Sequence, residues 1–165
     1  LLLSQGYDVK VSEVHGMSQR GGSVVTYVRY GDRVYSPIID KGEADFIVSF
    51  EQLEAARWIE FLRPGGIVVT NTQKTDPMPV ITGAAQYPED LVPKMRSLGV
   101  NVDDLDALSI AEEAGSSKAV NLVLMGRLSK YFDFDDAVWQ QAIEACVPAN
   151  FLELNKKAFA LGREA

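Results

Sequence analysis

The run Glu13-Val14-His15-Gly16-Met17-Ser18-Gln19-Arg20-Gly21-Gly22-Ser23 gathers the side chains of this sequence best suited to hold a polar ligand. It contains the only histidine of the chain. Glycine lets backbone N–H groups approach a ligand closely, and arginine presents a planar fork of donors that fits phosphate or carboxylate. Arg20 is therefore a candidate phosphate-binding residue, with Gly21 and Gly22 offering backbone donors and Ser18 and Gln19 adding hydrogen bonds. A histidine can in principle serve as a general base near neutral pH, but no nucleophile or paired acid stands beside His15 in sequence, so it reads as a residue that orients the loop, with Gly16, or faces a partner. The ligand-free alternative is that Arg20 pairs with Glu13 or Glu51 and simply fixes a turn.

A second group is Ser49-Phe50-Glu51, where an apolar strand-like run meets the start of a helix, together with Asn71-Thr72-Gln73 at the end of the next such run. In open α/β sheets ligands bind outside the carboxyl ends of the strands, which places both segments at one crevice. Plain capping of helix N-termini is the competing reading. Other singular residues have blander expectations. Asn121 and Gly126 lie on an apolar helix, Asn121 as a buried amide with an internal hydrogen bond and Gly126 as a point of close helix packing. Trp58, Trp139 and Phe159 read as core or interface anchors and Cys146 as a packed thiol. The acids at 103, 104 and 106, and at 133, 135 and 136, are spaced too loosely for a calcium loop and read as solvated turns and helix caps.

The elements that must carry these residues follow from periodicity. Alternation and β-branched content predict strands over roughly 7–14, 22–30, 33–38, 45–50 and 67–72, with Gly31-Asp32 as a tight hairpin turn. Leu1 to Ser4 read as a helix tail stopped by Gly6. A helix opening at Glu51 and ending before Pro64-Gly65-Gly66 joins two of the strands into a right-handed parallel βαβ unit. Pro88 opens a helix stopped by Gly99, and 100–105 is a further strand despite Asp103 and Asp104. Beyond 106 the period is helical: 118–132 is apolar almost all round, Trp139, Ile143, Cys146 and Val147 share one face, and Asn150 with Glu153 forms a capping box. The expected fold is α/β: a three-layer α/β/α Rossmann-like domain with a mixed, mainly parallel sheet and a helical C-terminal third, over residues 1–165 as a single domain.

Composition narrows the partners. A net charge of −7 and the lack of a basic run argue against nucleic acid or an anionic membrane surface. No apolar stretch approaches the roughly 20 residues of a membrane span, and a cytoplasmic location is expected. One cysteine excludes an internal disulfide and an iron–sulfur cluster held by this chain alone, and one histidine leaves no His-rich metal site.

Taken in order, the residues also carry a resemblance. The 13–23 run, Val28-Arg29-Tyr30-Gly31-Asp32 with Val34-Tyr35-Ser36-Pro37, Gly42-Glu43-Ala44-Asp45 leading to Phe50-Glu51-Gln52, Arg63-Pro64-Gly65-Gly66 to Asn71-Thr72-Gln73, Lys118-Ala119-Val120-Asn121 with Gly126, and Val147-Pro148 to Asn155 together resemble the gamma-type domain of the 2-oxoacid:ferredoxin oxidoreductases, most closely its indolepyruvate branch. That family opens with a strand and a G-x-G-G-Q-G loop. The present sequence starts at Leu1-Leu2-Leu3 without either, so the family's N-terminal segment is expected to be missing from it. The resemblance implies a subunit of an indolepyruvate or arylpyruvate:ferredoxin oxidoreductase, inactive alone. A larger alpha subunit would carry thiamine diphosphate and the iron–sulfur clusters, ferredoxin would take the electrons, and coenzyme A would be the co-substrate. The implied ligand contacts, to coenzyme A or substrate, are His15, Gly16, Ser18, Gln19, Arg20, Gly21, Gly22, Ser49, Phe50, Glu51, Asn71 and Thr72. No catalytic residue and no metal ligand is assigned. A stand-alone nucleotide-binding reductase and a purely structural subunit remain the alternatives.

Overall fold

The computed structural model describes residues 1–14 and 24–165, and the following account is of those residues. Strand β1 (Asp8–Val14) pairs antiparallel with β2 (Val25–Gly31), Asp8 opposite Gly31 and Val14 opposite Val25. This ribbon is a two-stranded sheet of its own. The second sheet is parallel, in the order β3 (Ala44–Ser49), β4 (Leu62–Asn71), β5 (Asn101–Leu105). Helix α1 (Gln52–Trp58) crosses from β3 to β4. A long segment containing α2 (Met78–Ile81) and α3 (Leu91–Ser97) crosses from β4 to β5. The C-terminal third is helical: α4 (Ala107–Ala114), α5 (Val120–Ser129), α6 (Asp136–Cys146) and α7 (Leu152–Glu164).

Alternation along the parallel strands builds the layers. Val68 faces one side and packs with Ala55 of α1 and with Val92 and Met95 of α3, joined by Ile47 and Val102. Val69 and Leu105 face the other side, with Phe46 and Val48, against Ala107 and Ala111 of α4, Val123 and Leu124 of α5, and Ala158 of α7. A parallel sheet covered on both faces favours apolar residues at successive positions, which is why Ile67-Val68-Val69 of β4 reads as an apolar run. The α/β class, the parallel core and the helical C-terminal third agree with the sequence reading.

The antiparallel ribbon attaches through aromatic rings. Tyr30 of β2 and Phe46 of β3 both meet Phe132, at centroid distances of 6.4 Å and 5.1 Å. On the opposite side Tyr27 meets Trp58 at 6.5 Å. Arg29 adds a guanidinium bond to the Ile38 carbonyl at 2.7 Å.

Several local expectations are corrected. Residues 33–38 form no strand: β2 pairs with β1, and the chain after Gly31 is held by Val34 N–H donating to the Asp8 carboxylate at 2.8 Å. Strand β4 starts at Leu62, so Pro64-Gly65-Gly66 lies inside it, at a register shift that Gly65 permits with φ of 79°. Helix α3 begins at Leu91 rather than Pro88, after Asp90 in a left-handed conformation. Asn150 does not cap α7: a 3-10 turn over Ala149–Phe151 precedes it, and the cap position is Phe151. Asn121 is exposed, because it sits on the side of α5 turned from the core. Cys146 is also exposed, since α6 ends there and only Trp139 and Ile143 of its apolar stripe are buried. Asp103 and Asp104 are not solvated turn residues but members of β5, each paired with an arginine, Arg127 and Arg96 respectively.

Candidate functional site

Three strand ends and two helix starts converge at the carboxyl edge of the parallel sheet. The turn out of β3 is fixed by Ser49, whose hydroxyl donates to the Glu51 carbonyl at 2.6 Å and accepts from the Glu51 N–H at 3.4 Å. Glu51 then caps α1, its Oε2 accepting the Glu54 N–H at 2.9 Å. Its Oε1 reaches across the crevice, accepting the Thr75 N–H at 3.4 Å and the Tyr87 hydroxyl. Burial, and then the bond to this carboxylate, raise the Tyr87 pKa above its ordinary value. Tyr87 is thus held as the proton donor of the pair.

Asn71 does the same work at the end of β4. Its Oδ1 accepts the Ala107 N–H at 3.1 Å, tying β4 to the start of α4, and its Nδ2 donates to Gln73 Oε1 at 3.2 Å. Thr72 continues the ladder, its N–H bonded to the Leu105 carbonyl at 3.0 Å, while its carbonyl accepts Gln52 Nε2 at 2.9 Å. Asp106 caps α4 through the Ser109 N–H at 3.0 Å.

The structure therefore places Ser49, Phe50, Glu51, Asn71 and Thr72 together at the carboxyl ends of β3 and β4. Ser49, Glu51 and Asn71 are buried, and their polar atoms bond to main chain and to neighbouring side chains. They position the crevice rather than present free groups to it. Phe50 is different: it is 54% exposed. Lys74 also lies here, its Nζ 5.7 Å from the centroid of the Tyr87 ring. Gln52, Lys74, Thr75 and Tyr87 went unread in the sequence, since nothing in their local pattern shows that a carboxylate 36 residues before Tyr87 will meet it. His15, Gly16, Ser18, Gln19, Arg20, Gly21 and Gly22 lie outside the described residues. Among the described residues no three His, Cys, Asp or Glu side chains converge as a metal site, and no helix is long and apolar enough to cross a membrane.

A parallel sheet covered by helices on both faces defines an α/β domain, and comparison with known proteins specifies which. Residues 1–165 match the model of the pyruvate ferredoxin/flavodoxin oxidoreductase family, and the chain belongs to that family. It is 42% identical to the indolepyruvate oxidoreductase subunit IorB of Thermococcus kodakarensis, over 99% of this chain and 83% of that one. It is 38% identical to the IorB subunit of Archaeoglobus fulgidus, over 95% of this chain and 80% of that one. Among solved structures, the gamma subunit of a keto/oxoacid ferredoxin oxidoreductase from Geobacter sulfurreducens shares the fold, with a TM-score of 0.68 at 20% identity over 98% of this chain and 82% of that one. The 2-oxoglutarate:ferredoxin oxidoreductase of Magnetococcus marinus, solved with 2-oxoglutarate, coenzyme A and succinyl-CoA, matches with a TM-score of 0.64 at 19% identity, over 96% of this chain but 25% of that one. The chain is accordingly an oxidoreductase subunit.

Proposed function

We propose that this chain is the small subunit of an indolepyruvate (arylpyruvate):ferredoxin oxidoreductase and helps position coenzyme A for the acyl transfer that follows decarboxylation. The observation that carries the reading is the 42% identity to an IorB subunit along nearly the whole chain. In the complex, thiamine diphosphate supplies the decarboxylation chemistry and iron–sulfur clusters the electron path to ferredoxin. The residues here do not fit a cluster, since one cysteine cannot ligate it. Those groups belong to a larger alpha subunit, and this chain's part is binding and orientation.

For that part the sequence offers Arg20 with Gly21 and Gly22, a donor set suited to phosphate. The crevice adds Phe50 and Lys74, presented by main chain that Ser49, Glu51 and Asn71 hold in place. The test is Arg20→Ala in the complex reconstituted with its alpha subunit. Loss of a charge-assisted phosphate contact raises the apparent KM for coenzyme A by about ten- to a hundredfold. An unchanged constant removes coenzyme A positioning from this chain and leaves the purely structural subunit.

A further inference from the structure

We draw no further inference here: the strongest candidate, the open cavity of about 420 Å³ beside the edge strand β5, lined by Arg96, Asn101, Asp103 and Tyr131, carries nothing, because Arg96 already binds Asp104 and the Val102 carbonyl, Asp103 is taken up by Arg127 and Tyr131, and nothing in the structure shows what would enter it.

Discussion

Gly126 of α5 lies directly against the main chain of Phe159 in α7, and Gly162 of α7 repeats the contact against Val123 of α5. A Cβ at position 126 would stand 2.9 Å from the Phe159 carbonyl carbon and closer still to its oxygen. Two backbones meet here with no side chain between them. The crossing carries the core that backs the parallel sheet, since Val123, Leu124 and Ala158 pack with Val69 and Leu105.

Gly126→Ala is therefore expected to destabilise the protein, although alanine gains about 1 kcal/mol over glycine in helix propensity. Forcing the helices apart costs roughly 1–3 kcal/mol or more in overpacking, and the backbone cannot yield as a flexible side chain would. Denaturant titration should give a net loss of at least about 1 kcal/mol, with Gly162→Ala behaving alike. A neutral or stabilising result would show that the helices separate freely.

Close packing at Gly126 was legible because glycine inside a long apolar helix has few other uses. So were the βαβ unit and the two segments at the crevice, since strand ends and helix starts leave local signals at Ser49, Glu51 and Asn71. What failed were features decided by distant partners. Residues 33–38 alternate like a strand, yet β2 takes β1 as its neighbour, and residues 33–38 pair with neither. The Asp103 and Asp104 pair looked like an interruption because Arg127 and Arg96, which neutralise it, are remote or on another element. Asn150 and Glu153 have capping-box spacing, but the 3-10 turn at Ala149–Phe151 moves the helix start past Asn150. The Glu51–Tyr87 contact had no sequence signature at all.

That contact makes Glu51 a hub whose removal has a defined cost. Glu51→Ala deletes the cap of α1, worth about 1 kcal/mol, and leaves the Thr75 N–H and Tyr87 hydroxyl without their acceptor, for a total of roughly 2–3 kcal/mol. Tyr87→Phe removes one bond and should cost about 1 kcal/mol. Both variants should speed amide hydrogen exchange across residues 75–87 while leaving α5 and α7 protected. Exchange that stays slow in that loop would mean its neck is closed by other contacts.

The division of labour gives a third expectation. With one cysteine in 165 residues, the purified chain should bind neither iron nor thiamine diphosphate and should not oxidise indolepyruvate with ferredoxin. Activity should appear on adding the alpha subunit. Metal analysis and a coupled ferredoxin-reduction assay decide the point, and turnover by the chain alone would overturn the proposed assignment.

The last expectation concerns the edge of β5, where Asp103 accepts Arg127 Nε at 2.7 and 2.9 Å and the Tyr131 hydroxyl at 2.6 Å. Burial alone would raise the Asp103 pKa, but its bonds to Arg127 and Tyr131 prevail and hold the carboxyl below its usual range. Burial, and then the bond to Asp103, push the Tyr131 hydroxyl up to about 12. The two shifts act at opposite ends of the pH scale. A depressed carboxyl contributes stability above its unfolded value of about 3.9, and that contribution is lost as pH falls through the lower folded value. A raised phenol contributes stability below about 10, and that contribution is lost as pH rises from there to about 12. Asp103→Ala should cost about 3 kcal/mol at neutral pH, because it strands the largely buried Arg127 guanidinium. Tyr131→Phe should cost less at neutral pH and flatten the loss of stability between pH 10 and 12. Melting curves recorded from pH 3 to 12 check both. An alkaline limb unchanged in Tyr131→Phe would mean that the hydroxyl titrates without coupling to the fold.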